Sequence, residues 1–141
     1  VIGTGESDPG TDAVAHEVGC LLAAAGCVVI TGGLDGVMGA ASRGAHEAGG
    51  LVIGVVPGSS PAEANAHVRV AIATGMGDAR NVILANSAEV FIAIGGAHGT
   101  LSEIAFALKR GKRVVSLGSW DVDPAVLRAQ TPEQAVRLAL G

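Results

Sequence analysis

One order of events repeats along this chain: a short, almost wholly apolar run, a glycine-rich turn, a helix-length segment, and a glycine stop. The apolar runs fall at 1–3, 27–30, 51–56, 68–73, 90–94 and 113–117. A strand without polar alternation is buried on both faces, the condition of a parallel sheet covered by helices. Parallel neighbours need a crossover, and the intervening segments are long enough to supply one. The pattern predicts an α/β fold, a Rossmann-like open, mostly parallel sheet of about six strands with helices on both faces. At 141 residues it predicts a single domain over 1–141.

Local signals place the helices. Thr11 or Asp12 can cap a first helix with Val14, Val18, Leu21, Leu22 and Ala25 on its apolar face and Gly26 as its stop. A second runs from the turn after Gly36 to Gly49-Gly50, a third over about 78–87, and a fourth from Gly99-Thr100 to Arg110, stopped by Gly111. Residues 57–67 read as a long polar connection. Asp123-Pro124 and Thr131-Pro132 each place a capping residue before a proline, predicting two short helices at the end. Thr131 and Gln134 add capping-box spacing. Val82, Ile83, Leu84 and Ala85 make the third helix apolar on more than one face, so a homo-oligomer is expected to cover it.

Composition excludes several classes of function. Hydrophobic residues make up 49% and mean hydropathy is +0.49, which is not the composition of a disordered chain. Aromatic residues are 2%, with no Tyr, and the net charge is −4. Neither a base-stacking platform nor a basic footprint for nucleic acid is present. No uninterrupted apolar run is long enough to span a membrane, and no basic segment precedes an apolar one as in a signal peptide. Cys20 and Cys27 have neither CxxC nor zinc spacing and read as reduced thiols of a cytoplasmic protein. The chain opens at Val1 inside an apolar segment, so a few preceding residues are expected.

In an open parallel sheet, ligands bind beyond the carboxyl ends of the strands. Three such ends carry glycine turns: Gly3-Thr4-Gly5, Gly32-Gly33-x-x-Gly36 and Gly95-Gly96-x-x-Gly99-Thr100. Exposed backbone N–H groups and the dipole of the following helix suit an anion, most simply a phosphate. None is a Walker A loop or a dinucleotide fingerprint. Several residues there have two readings. Glu103 is a carboxylate for chemistry, or the fourth residue of a capping box over Thr100–Glu103. Arg80 is a phosphate or ribose contact, or a solvated helix charge. Thr100 can donate to phosphate or cap its helix. His98 is a general acid or an ordinary loop residue, and Asp35 caps a helix or meets a ribose hydroxyl. His16, His46 and His67 share no metal-ligand spacing. Phe106 and Trp120 read as core residues rather than stacking partners.

Thr31-Gly32-Gly33-Leu34-Asp35-Gly36-Val37-Met38-Gly39 resembles the GGGxxGLMG motif of the LOG-like superfamily, often labelled lysine decarboxylase. Gly95-Gly96-Ala97-His98-Gly99-Thr100-Leu101-Ser102-Glu103 is similar to its PGGxGTxxE motif, with Ile94 in place of the proline. Met76 and Arg80-Asn81 stand where LOG enzymes have a Met and then Arg-Lys. The resemblance covers about residues 1–117. It implies a nucleoside 5′-monophosphate phosphoribohydrolase that releases free base and ribose 5-phosphate, with Arg80 and Glu103 catalytic and no cofactor required. The glycines of the three turns, with Thr4 and Thr100, would bind the ligand. A sister branch, the molybdenum cofactor carriers, implies the alternative: a non-catalytic carrier or sensor of a phosphate-bearing pterin, with molybdenum cofactor as bound ligand. The short chain and the wording of 77–81 and 99–112 are closer to that branch, and Asn81 in place of Lys puts plant-type substrate contacts in question. The expected partner is therefore a nucleoside monophosphate or pterin, with no metal, nucleic acid or membrane, in a dimer or tetramer. Decarboxylation needs a Schiff-base lysine. Only Lys109 and Lys112 exist, both beside Gly111 and away from the glycine turns, so that activity is excluded.

Overall fold

The computed structural model describes residues 1–141 throughout. The elements are β1 (Ile2–Gly3), α1 (Pro9–Ala24), β2 (Val29–Thr31), α2 (Val37–Glu47), β3 (Val52–Val56), β4 (Val70–Ala73), α3 (Arg80–Ser87), β5 (Val90–Ile94), α4 (His98–Lys109), β6 (Arg113–Leu117), β7 (Leu127–Ala129) and α5 (Pro132–Leu140). Strands pair as β1-β5-β6-β7 and as β2-β3-β4, every pairing parallel. The two groups meet where the Val1 amino group donates to the Ile30 carbonyl at 2.8 Å and the Val37 N–H to the Thr4 carbonyl at 3.0 Å. This is the expected Rossmann-like α/β architecture, with seven strands rather than six.

Strand periodicity divides the core. Ile92 and Ile94 face α1, α2 and α5, together with Val29, Val52 and Val115. Phe91 and Ala93 face the other way, with Ile2, Val114, Ile104 and Ala107 of α4 and Ala85 of α3. Helices thus cover both faces. The α1–α2 pair shows why the chain is so rich in glycine. A Cβ on Gly19 would overlap the Ala41 carbonyl oxygen, and one on Gly44 would overlap that of His16. The two helices cross backbone to backbone, leaving no room for even a methyl group.

Three local expectations need correction. α1 is capped by Asp8, not by Thr11 or Asp12: the Thr11 N–H and hydroxyl both donate to Asp8 Oδ2, at 2.9 and 2.8 Å. Pro9 supplies the pre-set φ of the first turn, so the helix starts earlier. Asp123-Pro124 starts no helix. Its carboxylate and carbonyl accept from Ala125 and Val126, forming a turn that delivers β7 to the open edge of β6. That edge of unpaired backbone groups outweighs the local cap signal. Only Thr131 caps a final helix; Gln134 reaches back to the Gln130 N–H instead of the cap itself. The third helix begins as a 3₁₀ turn over Gly77–Ala79, with Val82 and Ile83 half-buried on one subunit.

Replacing Gly44 with alanine is expected to destabilise the protein by about 1–3 kcal/mol or more, despite alanine's better helix propensity. Denaturant unfolding measures this, and an unchanged or raised midpoint would contradict the backbone-to-backbone crossing.

Candidate functional site

The carboxyl ends of β1 and β2 and the starts of α3 and α4 converge on a pocket of about 230 Å³. Its wall contains Gly3, Thr4 and Gly5 from the first turn, Leu34 and Met38 from the second, and Gly99, Thr100 and Glu103 from the third. Asp78, Arg80 and Asn81 close it from the start of α3. One helix opens here without a side-chain cap, α4 at Ala97, whereas α2 begins at Gly36 beside a neighbouring cleft with its Val37 N–H donated to the Thr4 carbonyl, and α3 continues a 3₁₀ turn that already holds the Ala79 and Arg80 N–H groups. By contrast α1 and α5, which start elsewhere, carry Asp8 and Thr131 as caps. The first N–H groups of a helix have no intrahelical acceptor, so the uncapped start of α4 leaves donors and positive dipole facing the pocket.

Arg80 is only 7% exposed, yet no carboxylate lies within ion-pair distance. Its Nε donates to the Val55 carbonyl at 2.8 Å, one terminal nitrogen to Asn81 Oδ1 at 2.7 Å and the other to the Gly32 carbonyl at 3.3 Å. It is a fixed brace rather than a solvated helix charge. Two of its five N–H donors have no protein acceptor among these bonds. Asn81 carries the network onward: its Nδ2 donates to Ser102 Oγ at 3.1 Å, and Ser102 donates to the Gly99 carbonyl at 2.7 Å. In the sequence, only the adjacency of Arg80 and Asn81 hints at this coupling.

Glu103 is 6% exposed and lies one turn inside α4, which begins at His98, so the capping box does not form. The helix starts three residues earlier than that reading requires. Burial pushes its carboxyl up to about 7, with the Arg80 guanidinium and the Val1 ammonium pulling the other way. No protein donor hydrogen-bonds its oxygens. Thr100 is buried too, its side chain filling the space where a Cβ on Gly96 would sit.

The remaining glycines have other places. Gly32 is buried at the edge of the site, with its carbonyl held by Arg80. Gly33, at φ +79°, packs on Val56, and its carbonyl accepts from Asn65. Gly36 packs against the backbone of Thr4 and Gly5 and faces a second, neighbouring cleft, while Gly95 lines a third depression beside Thr11 and Leu117. His98 is exposed against Trp120, 6.0 Å between ring centres, and does not line the pocket. Asp35 is exposed and caps nothing. An apolar groove of about 420 Å³ lies at the opposite strand ends, between 26–30 and 87–90, with Glu89 as its one acidic lining residue. It offers no uncapped helix start. No group of His, Cys, Asp and Glu has the arrangement of a metal site, and no helix is long and apolar enough to cross a membrane.

The sequence model of the SLOG cluster4 family matches residues 1–140. The chain belongs to the SLOG cluster4 family. An uncharacterised Archaeoglobus fulgidus protein is 46% identical over 99% of this chain and 92% of its own length. Among solved structures, the molybdenum cofactor binding protein of Rippkaea orientalis superposes with a TM-score of 0.89 at 39% identity, covering 94% of this chain and 88% of that one. The molybdenum cofactor carrier protein of Chlamydomonas reinhardtii gives 0.83 at 36%, covering 98% and 92%. A probable cytokinin riboside 5′-monophosphate phosphoribohydrolase of Oryza sativa is 39% identical over only 55% of this chain and 32% of its own. This member of the SLOG cluster4 family therefore resembles cofactor-binding proteins over nearly its full length and a hydrolase over part of it.

A carboxyl that titrates near 7 when folded and near 4.5 when unfolded binds its proton more tightly in the native state between those values. Its contribution to stability is complete below about pH 4.5 and is lost as pH rises through 7. Relative to wild type, Glu103→Gln is expected to gain about 3 kcal/mol between pH 4 and pH 8. Parallel pH profiles of the two proteins would show this in urea unfolding, and parallel curves of equal slope would refute the buried proton.

Proposed function

We propose that this protein binds and carries a phosphate-bearing pterin of the molybdenum cofactor type, and does not hydrolyse nucleoside monophosphates. The observation that carries this reading is Arg80, a buried guanidinium with no carboxylate partner, set beside the uncapped start of α4. A buried cation is stable only when its charge is answered, and a bound phosphate answers it. The residues present fit that group. Gly99 and Thr100 would offer backbone N–H groups from the start of α4, Arg80 its two remaining donors, and a protonated Glu103 an O–H donor to a phosphate oxygen.

Carriage is favoured over hydrolysis by the state of Glu103. Stabilising an oxocarbenium ion calls for an ionised carboxylate held by fixed donors. Glu103 has no such donors, and burial favours its neutral form. The full-length similarity to cofactor-binding structures, against a partial one to a hydrolase, supports the same choice. A carrier needs ground-state affinity and shelter for its cargo, not selective binding of a transition state.

Amide NMR during phosphate titration is expected to shift Gly99 and Thr100 first. Shifts centred on 57–67 would remove the site. Wild type is expected to release no ribose 5-phosphate from a panel of nucleoside monophosphates, and to retain added molybdopterin through gel filtration. Turnover that disappears in Glu103→Gln would overturn carriage in favour of the hydrolase.

The working form is proposed to be a homo-oligomer. Val70 (45% exposed), Ile72 (44%) and Met76 (49%) lie near the half-buried Val82 and Ile83 in the chain, an apolar stretch for one subunit to leave in water. Sedimentation is expected to show a dimer or tetramer, and a clean species near 13.8 kDa at micromolar concentration would sink this expectation.

A further inference from the structure

Glu103 is the only buried acidic side chain of the protein, and it lies in the pocket wall with Gly99, Thr100 and Arg80. It is 6% exposed, and no protein donor reaches its carboxyl. Two side-chain oxygens elsewhere lack a partner and are sealed from solvent, Asp12 Oδ1 and Ser119 Oγ. The Glu103 oxygens are not sealed in this way, so the little exposure they keep opens on the pocket. An unpartnered carboxyl thus faces the space into which Arg80 and the start of α4 direct their donors.

The charges around it come from few elements. Arg80 at the start of α3 and the Val1 amino group beside β1 both favour the ionised form. Asp78, in the 3₁₀ turn before α3, lines the same pocket but is exposed. β5 and β6 present Phe91, Ala93 and Val114, while Arg113 of β6 is turned away onto the Ala139 carbonyl. On its own helix, His98 is exposed against Trp120 and outside the pocket. Burial outweighs the two cations and lifts the carboxyl to about 7.

A pocket of about 230 Å³ sets any phosphate held by Gly99, Thr100 and Arg80 against this carboxyl. A phosphate monoester brings roughly two negative charges at neutral pH. One guanidinium does not answer both, and an ionised Glu103 would add a third negative charge to a space with little water. An ionised carboxylate only accepts hydrogen bonds, whereas a protonated one donates.

We infer that the site takes up its anionic ligand together with one proton, which passes from water to a Glu103 oxygen as the ligand enters and returns to water as it leaves. The carboxyl then donates its O–H to a phosphate oxygen, and a rise in pH empties the site. The inference rests on the proposed phosphate site and adds how that site is loaded and released. Below about pH 7 the free site already holds the proton, and affinity is flat. Above it, only the bound form keeps the proton, and each pH unit costs about tenfold in affinity.

Ribose 5-phosphate is the probe. Its second ionisation, near 6 as for other phosphate monoesters, leaves it a dianion at pH 8 and 9, so its own titration does not enter. Calorimetry of the intact protein at pH 8, in buffers of different ionisation enthalpy, is expected to show uptake of about 0.9 proton per ligand, and affinity is expected to fall roughly tenfold from pH 8 to pH 9. Glu103→Gln carries a permanent amide donor. It is expected to take up no proton, to bind with the same affinity at both values, and at pH 9 to bind at least about tenfold more tightly than wild type. Damaged packing alone would not produce that gain. Wild-type binding without proton uptake at pH 8 would overturn the inference. So would an uptake that persists in Glu103→Gln, since it would belong to His98 or the Val1 amino group. If the probe shifts the Gly99 and Thr100 amides while the uptake is missing, the phosphate site stands and the proton linkage alone falls. If it shifts neither amide, both fall. Matching amide spectra establish that Glu103→Gln folds, and the wild-type uptake is decisive without it.

Discussion

The Arg80 guanidinium enters the interior between the ends of β2 and β3, and the geometry of the site depends on it. One side chain fixes the Gly32 carbonyl, the Val55 carbonyl and the start of α3 in a single hydrogen-bonded unit. Removing it would leave two buried carbonyls and Asn81 without their donors, each a penalty of roughly 1–3 kcal/mol. The planar fork of arginine suits this work better than lysine, because its donors diverge toward several acceptors while the charge stays delocalised. Through Asn81 and Ser102 the same unit reaches Gly99, so the first turn of α4 is registered against the second strand group. At the position where LOG enzymes carry a lysine, a neutral amide couples two helices here. The chain thereby keeps one buried cation at the site rather than two.

That cation and Glu103 share a small space without pairing. Their separation exceeds ion-pair distance, and burial raises the carboxyl to about 7, so near neutral pH it holds its proton about half the time and leaves the guanidinium charge unpaired. A direct Arg–Glu pair would have satisfied both groups and closed the site to anions. The uncapped start of α4 belongs to the same logic, since a side-chain cap would consume the N–H groups that now face the pocket.

Small residues make this arrangement possible. Gly19 and Gly44 let α1 and α2 meet at backbone distance, which holds the turn after β2 close to the turn after β1. Gly36 then seats directly on the Thr4–Gly5 backbone. With bulkier residues at these positions, the first two strand ends would move apart.

The sequence by itself determined the strand order of events, the parallel α/β class, the three glycine turns and the superfamily. These are written in local patterns: unbroken apolar runs, glycine at turn positions, and two long motifs. β5 and β6 fall where the apolar runs put them, because a five-residue run buried on both faces has few other solutions. The cap of α1 is legible in Asp8-Pro9, although Thr11 and Asp12 stand nearer the apolar stripe. Only the tertiary structure decided the rest. β7 exists because β6 offered an unpaired edge, against a local helix signal at Asp123-Pro124. Glu103 reads as a capping residue in its own segment. It becomes a buried, proton-holding group only once α4 starts early and packs against β1 and β5. Leu34, Met38, Asp78 and Asn81 join the site from separate loops and helix starts. The physical reason is the same in each case: caps and periodicity are short-range properties of the chain, whereas burial, desolvation and the answering of a charge are set by whatever the fold brings alongside.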